Sequence, residues 1–208
     1  AEIARETGIL VPEVDFGGGY GITYVDEEPL APAATLGALA AVTAEECERL
    51  GTAPPRASFE PGRAIVGPAM ATLYEVGTVK TVTVEDGERS YVSLDASMGD
   101  NVLRPMLYGS VYVAELASRE SSARPRRLRL VGKHCESGDI LIKDLLLADD
   151  VRRGDLLAVP ATGAYGRAMG STYNLIGRPA VVAVADGHAE VWLRRETNED
   201  LLALDPGA

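Results

Sequence analysis

The spacing of apolar residues divides this chain into a part that mixes helices with strands and a part rich in strands. Apolar residues recur every three or four positions between Thr35 and Leu50, which predicts an amphipathic helix. Short apolar runs at 11–16 and 56–60 lie on either side of it and predict strands. Because strands that alternate with helices are typical of a parallel sheet, we expect an α/β unit over residues 1–68.

From Thr72 onward the pattern changes to short apolar runs separated by turn sequences. The predicted strands are 73–84, 91–94, 110–116, 127–131, 156–159, 180–185 and 189–193. The sequence Asp186-Gly187 between two valine-rich runs is typical of a tight hairpin turn, which would leave His188 exposed. We therefore predict an antiparallel β domain over residues 69–208.

Both ends of the chain carry helix signals. Residues 1–6 are similar to the end of an amphipathic helix, and Gly8 is suited to terminate it. Near the other end, Thr197 followed by Asp200 predicts a short capped helix. Since the first residue is Ala1 rather than methionine, we expect a longer protein of which this chain is a part.

Composition excludes several classes of function. The formal net charge is −11, from 31 acidic and 20 basic residues, which argues against nucleic-acid or anionic-membrane partners. No apolar run approaches the roughly 20 residues that span a bilayer, so we expect a soluble, cytoplasmic protein. The two cysteines, Cys47 and Cys135, provide neither a disulfide framework nor the spacing of a metal site. Cys47 lies on the apolar face of the predicted helix, where we expect a small core residue.

Four motifs carry candidate chemistry. Three consecutive glycines at 17–19 follow a predicted strand, where a bare backbone can approach an anion. Glu60-Pro61-Gly62-Arg63 follows the next predicted strand. Lys133-His134-Cys135-Glu136-Ser137-Gly138-Asp139 sets a thiol, which can donate a proton, beside two carboxylates. Thr162-Gly163-Ala164-Tyr165-Gly166 has the glycines of a loop that closes on a ligand.

In this order and spacing, the four motifs resemble the C-terminal half of diaminopimelate decarboxylases. These enzymes belong to the fold-type III decarboxylases, which depend on pyridoxal 5′-phosphate. The resemblance implies the C-terminal part of an alanine-racemase-like α/β (TIM) barrel in residues 1–68. For residues 69–208, it implies an antiparallel β-barrel or sandwich domain. It further implies decarboxylation of meso-diaminopimelate to L-lysine, a step of lysine biosynthesis, in a homodimer with shared active sites.

The resemblance also implies roles for single residues. Cys135 would protonate the carbon that loses carbon dioxide, and His134 would contact site residues rather than the substrate. The residues implied in binding the cofactor are Gly17, Gly18, Gly19, Glu60, Gly62, Arg63 and Tyr165. The residues implied in binding the substrate are Arg63, Arg104, Tyr108, Glu136 and Tyr165. Glu60 would pair with the pyridine nitrogen, while the glycines would hold the phosphate.

Two observations qualify the resemblance. The lysine that carries the cofactor in this family lies in an N-terminal part that this chain does not contain, and Lys80, Lys133 and Lys143 do not lie at barrel strand ends. We therefore expect this chain alone to be inactive. Glu136 stands where related ornithine decarboxylases usually have aspartate, which favours diaminopimelate. The alternatives are a decarboxylase of ornithine, arginine or carboxynorspermidine, and a noncatalytic regulatory relative.

Overall fold

The computed structural model describes residues 2–96, 98–102, 109 and 111–207. The described α-helices are α1 (Glu2–Thr7), α2 (Pro32–Arg49), α3 (Gly62–Val66), α4 (Gly166–Met169) and α5 (Asn198–Leu202). Single turns of other helix types lie at Gly67–Ala69, Met98–Val102 and Tyr173–Leu175. The described strands are β1 (Glu13–Asp15), β2 (Arg56–Ser58), β3 (Thr72–Val84), β4 (Gly87–Leu94), β5 (Glu115–Leu116), β6 (Pro125–Val131), β7 (Ile140–Ala148), β8 (Leu156–Val159), β9 (Val181–Ala185) and β10 (His188–Leu193).

The first part of the chain is a small parallel α/β unit. Strands β1 and β2 pair in parallel, with Val14 opposite Ala57, and α2 lies between them along the chain. Gly8 adopts a φ of 73°, the left-handed conformation that ends α1, and Pro32 stands at the start of α2. The predicted helices and parallel strands of this part are confirmed, although both strands are shorter than predicted.

Helix α2 is less covered than its sequence pattern suggests. Its apolar face, which includes Leu36, Leu39 and Cys47, is only half-buried, and no residue of the helix is buried. The prediction that Cys47 is a core residue is therefore wrong. Two strands of three residues each offer too little apolar surface to bury a helix of 18 residues.

The second part is a six-stranded sheet with the order β5-β8-β3-β4-β6-β7. The edge strands β5 and β7 also contact each other, so the sheet is nearly closed. Four neighbouring pairs are antiparallel, as predicted, but β4 and β6 run parallel, with Tyr91 opposite Arg129. The prediction of a purely antiparallel sheet is wrong at this pair. The long connection over residues 95–124 provides the crossover that parallel strands need.

The core of this sheet comes from alternate positions of its strands. In β6, Leu128 and Leu130 are buried while their neighbours are more exposed, and Leu157 and Val159 follow the same pattern in β8. Side chains two residues apart point to the same face of a strand. The buried cluster is Tyr74, Val76, Val92, Leu94, Ala96, Tyr112, Ala114, Leu128, Leu130, Leu141, Ile142, Leu145, Leu147, Val151, Leu157 and Val159.

Two strand predictions depart from the structure. β7 was not predicted, because irregular pairing with β6 breaks the alternation of its buried positions. The predicted strand at 110–116 is a strand only at Glu115–Leu116, and residue 110 lies outside the described part of the chain. Its apolar pattern arises because Tyr112 and Ala114 are buried from a segment without strand pairing.

The C-terminal part forms the predicted hairpin and helix. Asp186 and Gly187, with φ of 51° and 77°, make the turn between β9 and β10, and His188 is exposed as expected. Thr197 and Asp200 form a reciprocal capping box at the start of α5. Within the described residues, no helix combines the length and the apolarity that crossing a membrane requires.

Candidate active site

The glycine loop follows β1 and is shaped by two different requirements. The Asp15 carboxylate accepts a hydrogen bond from the Gly17 N–H at 2.7 Å, which starts the turn. Gly17 and Gly19 have φ of 69° and 87°, a conformation that side-chain-bearing residues rarely adopt. A Cβ atom on Gly18 would lie 2.6 Å from the Glu60 carbonyl oxygen. The backbone conformation therefore explains Gly17 and Gly19, and the close approach of Glu60 explains Gly18.

The structure brings Glu60 and Arg63 against this loop. The Glu60 N–H donates to the Gly17 carbonyl at 2.9 Å. The Arg63 guanidinium donates through Nε to the Tyr20 carbonyl at 2.9 Å and through Nη2 to the Gly19 carbonyl at 3.2 Å. Two of its five N–H groups are thus used on the backbone, and the others can reach a ligand. Glu60 and Gly62 are exposed beside the loop.

The segment that carries Tyr165 packs against the end of α3. The Gly163 N–H donates to the Gly67 carbonyl at 3.1 Å, and any Cβ on Gly163 would collide with the Val66 carbonyl. The buried Thr162 hydroxyl lies 2.9 Å from that of Thr72. Tyr165 itself remains 44% exposed with a φ of 71° and a ψ of −38°, a conformation that costs about 1–3 kcal/mol and is concentrated at functional sites.

Cys135 and Glu136 lie on the turn that joins β6 to β7. The Lys133 N–H donates to the Ala96 carbonyl at 3.1 Å, and the Asp139 N–H donates to the Glu136 carbonyl at 3.0 Å. The Glu136 carboxylate accepts from the Gly138 N–H at 3.0 Å, which leaves its second oxygen available. Cys135 and Glu136 are both exposed, so thiol and carboxylate can reach a ligand outside the turn.

His134 lies beneath this turn. The residue is 9% exposed, and its imidazole packs on the Tyr173 ring with centroids 5.1 Å apart. Neither ring nitrogen has a hydrogen-bond partner among the described residues. Tyr173 was not anticipated from the sequence, because nothing local to it indicates a contact with a residue so distant along the chain.

The predicted site residues form two clusters in one chain. The first joins the glycine loop, the Glu60–Arg63 motif and the Tyr165 segment, while the second holds the Cys135 turn against Ala96 and Tyr173. Asp95, directly after β4, accepts a hydrogen bond from the Glu75 N–H of β3 at 2.8 Å. Arg104 and Tyr108 lie outside the described residues.

A cavity lies near the Tyr165 segment. It has a volume of about 310 Å³ and lies behind Gly166, between the start of β3 and the β9–β10 hairpin, with Asp100, Arg178 and Val182 in its wall. In the part of the chain that the structure describes, no three His, Cys, Asp or Glu side chains cluster as metal ligands would.

Comparison with known proteins identifies the family. The model of a family described as pyridoxal-dependent decarboxylase, C-terminal sheet domain, matches residues 24–163, which is more than half of the chain. The chain belongs to this family of decarboxylases. The resemblance deduced from the four motifs is confirmed.

Several of the relatives are diaminopimelate decarboxylases. A diaminopimelate decarboxylase of Mycobacterium tuberculosis is 50% identical over 206 residues, covering 98% of this chain and 46% of that protein. One from Bacillus subtilis is 45% identical over 203 residues, covering 97% of this chain and 45% of that protein. The crystal structure of the M. jannaschii diaminopimelate decarboxylase in complex with L-lysine superposes with a TM-score of 0.87 at 30% identity, covering 97% of this chain and 44% of that one. This member of the family therefore spans less than half the length of these relatives.

Proposed function

We propose that the protein to which this chain belongs is a diaminopimelate decarboxylase, which releases carbon dioxide from meso-diaminopimelate and forms L-lysine. The observation that carries the proposal is the 50% identity to a diaminopimelate decarboxylase over 98% of the chain. All four motifs lie within the aligned length, and the two clusters keep their polar groups accessible. A cytoplasmic location fits two cysteines that are both free.

For the architecture, we propose that residues 1–68 are the C-terminal part of an α/β (TIM) barrel and that residues 69–208 are the β domain, built as a barrel. The parallel pair β1–β2 with α2 between its strands supports the first assignment. The nearly closed six-stranded sheet supports the second. In such barrels, ligands bind at the ends of the strands, which is where the glycine loop and Glu60 lie.

Pyridoxal 5′-phosphate fits the first cluster. Gly18 and Gly19 are exposed and have no side chains, so a phosphate could approach their N–H groups closely, with Gly62 and the Arg63 backbone beside them. The missing Cβ of Gly18 lets this loop lie directly on Glu60. When bound, the cofactor would delocalise the electron pair that departing carbon dioxide leaves on the substrate carbon. The Tyr165 hydroxyl, on its exposed turn, would donate a hydrogen bond to an anionic oxygen.

The side chains of this chain would divide the remaining work. Glu60 would hold a proton at the pyridine nitrogen, because a nearby carboxylate stabilises the charged ring. The free donors of Arg63 would bind a substrate carboxylate. The Cys135 thiol would donate a proton to the carbon that has lost carbon dioxide. Glu136 would bind the ammonium group at the far end of the substrate, together with Arg104 and Tyr108.

We propose a homodimer in which Cys135 and Glu136 of one subunit complete the site of the other. Within one chain, the described contacts of the Cys135 turn involve Ala96 and Tyr173, whereas those of Arg63 involve the glycine loop. A shared site would place the two clusters beside each other across the dimer interface. The net charge of −11 does not favour nucleic acid or an anionic membrane as a further partner.

The proposal is tested by the substrate preference of the complete protein. With pyridoxal phosphate present, release of carbon dioxide is measured from meso-diaminopimelate, ornithine, arginine and carboxynorspermidine. We expect kcat/KM to be highest for meso-diaminopimelate by a factor of about 100 or more, because the other substrates leave charged groups of the site unpaired. A preference for ornithine would overturn the substrate assignment. Cofactor binding without turnover of any of the four would instead indicate a noncatalytic relative.

A further inference from the structure

A buried carboxylate lies under the turn that carries Cys135. Asp139 is 3% exposed, although aspartate is rarely buried without a partner. Its Oδ2 accepts a hydrogen bond from the His134 N–H at 2.8 Å, while Oδ1 is buried with no partner among the residues that the structure describes. Burying a carboxylate in this way opposes folding, so it calls for a reason other than stability.

Gly132 leaves the space that this carboxylate fills. A Cβ atom on Gly132 would collide with both carboxylate oxygens of Asp139 and would lie 2.5 Å from its Cγ. Gly132 does not have a left-handed φ, so space rather than backbone conformation explains the glycine. The Gly132 N–H also donates to the Asp139 carbonyl at 2.9 Å, which joins the two ends of the turn.

Asp139 thereby restrains both neighbours of Cys135. Its carboxylate binds the N–H of His134, the residue before the cysteine, at 2.8 Å. Its own N–H donates to the carbonyl of Glu136, the residue after the cysteine, at 3.0 Å. The turn is thus held on both sides of Cys135, which fixes the backbone position from which the thiol projects.

We propose that Asp139, seated on Gly132, is a positioning residue that fixes the Cys135 thiol and the Glu136 carboxylate in the orientation that the reaction needs. The catalytic part of this inference rests on the proposed decarboxylase function. The geometric part does not, because it concerns only the orientation of a thiol on a turn. Asp139 is buried, and it acts through the backbone of the turn.

The first test measures turnover in the complete protein. In Asp139→Ala, we expect kcat to fall about 100-fold with a smaller change in KM, because a displaced group loses its contribution to the transition state. Asp139→Asn keeps an oxygen that can accept the His134 N–H and should retain most of the activity. The exposed carboxylate of Asp144, on β7, provides the matched control: Asp144→Ala should be like the wild type.

The second test asks whether Gly132 and Asp139 act as one unit. Gly132→Ala should lower kcat as Asp139→Ala does, because the new methyl group meets the carboxylate. Adding Gly132→Ala to Asp139→Ala should cost nothing further, since the carboxylate is gone, so the two effects are not additive. Gly37→Ala is the matched control, because a Cβ on this exposed residue of α2 meets no atom within 4 Å. Additive losses would overturn the proposal.

A third measurement separates this proposal from the proposed function. The alkylation rates of Cys135 and Cys47 by iodoacetamide are followed by mass spectrometry in each variant. We expect the Cys135 rate to rise several-fold in Asp139→Ala and Gly132→Ala, while the Cys47 rate reports an intact fold by staying constant. If the wild type does not decarboxylate, the function fails and the alkylation rates still decide the inference. If Asp139→Ala folds and its Cys135 is alkylated at the wild-type rate, the inference is overturned. If that variant does not fold, the alkylation rates of Asp139→Asn and Gly132→Ala decide the inference instead.

Discussion

Tyr165 combines an unfavourable backbone conformation with an exposed ring. Its φ of 71° is unfavourable for a residue with a side chain, and its ring is nevertheless 44% exposed. The neighbouring contacts hold it there: Gly163 donates to Gly67, and Thr162 is fully buried. Packing on one side of a residue thus compensates for strain at the residue itself.

At the same scale, the exposed thiol of Cys135 leads to a prediction about proton donation. In the complete protein, Cys135→Ala should lower turnover of meso-diaminopimelate by about 100-fold or more, the usual contribution of a general acid. The absorbance of the bound cofactor should be nearly unchanged, because the cofactor site proposed above lies in the other cluster. Cys47→Ala, at the half-buried cysteine of α2, is the matched control and should keep normal turnover. Normal turnover in Cys135→Ala would refute the acid role.

Among the elements, the turn between β7 and β8 is held by an ion pair that depends on pH. The Arg119 guanidinium donates to both oxygens of the buried Asp155 at 3.0 and 2.9 Å, and the Arg152 N–H also donates to this carboxylate at 3.0 Å. The Arg119 hydrogen bonds hold the pKa of the Asp155 carboxyl below its ordinary value, against the opposing effect of burial. Arg119 also pairs with Asp150, so one side chain ties the turn to the segment before β6.

This lowered pKa predicts the direction of the pH dependence of stability. The folded protein binds fewer protons at Asp155 than the unfolded chain, so its contribution is complete above the unfolded pKa, near 4, and is lost as the pH falls through the lower folded pKa. At pH 7, Asp155→Asn should lower the free energy of unfolding by about 2 kcal/mol. Urea midpoints, followed by circular dichroism, should differ from the wild type at pH 7, and the difference should shrink as the pH falls below about 4. Asp149→Asn, at an exposed neighbour, should not shift the midpoint; an equal shift there would contradict the role of the pair.

The chain as a whole exposes more apolar surface than a stable monomer usually does. Val184 and Trp192 of the β9–β10 hairpin are 76% and 67% exposed, and Leu73 at the start of β3 is 59% exposed. A two-stranded hairpin needs further strands or a packed face to be stable. The parallel pair β1–β2 likewise has two strands with open edges, which can pair with other chains.

We therefore expect the isolated 208-residue chain to associate. Analytical ultracentrifugation at rising protein concentration should show growth in mass, whereas the complete protein should give one defined assembly. Val184→Thr, an exposed change on the hairpin, should reduce the association, while Thr83→Ser, an exposed change on β3, should not. The isolated chain should bind pyridoxal phosphate weakly and reversibly and should not decarboxylate. A stable monomer that produces lysine would defeat this expectation.

The types of most elements follow from local pattern, because helices and strands have different side-chain periods. Helix α2, the hairpin turn at Asp186-Gly187 and the Thr197–Asp200 capping box each depend on residues close in sequence, and all were predicted. β7 was missed, because its alternation is broken by irregular pairing with β6, a strand on the other side of the turn.

The sequence by itself also determined the family, since the order of four short motifs survives without knowledge of their contacts. Only the tertiary structure decided which motifs meet: Arg63 on the glycine loop, Gly163 on α3, and the carboxylate of Asp139 in the space above Gly132. It alone decided that β4 and β6 are parallel and that the apolar face of α2 is only half-buried. The physical reason is that these features depend on how separate segments of the chain pack against each other in space. Such packing leaves no periodic signal in the sequence.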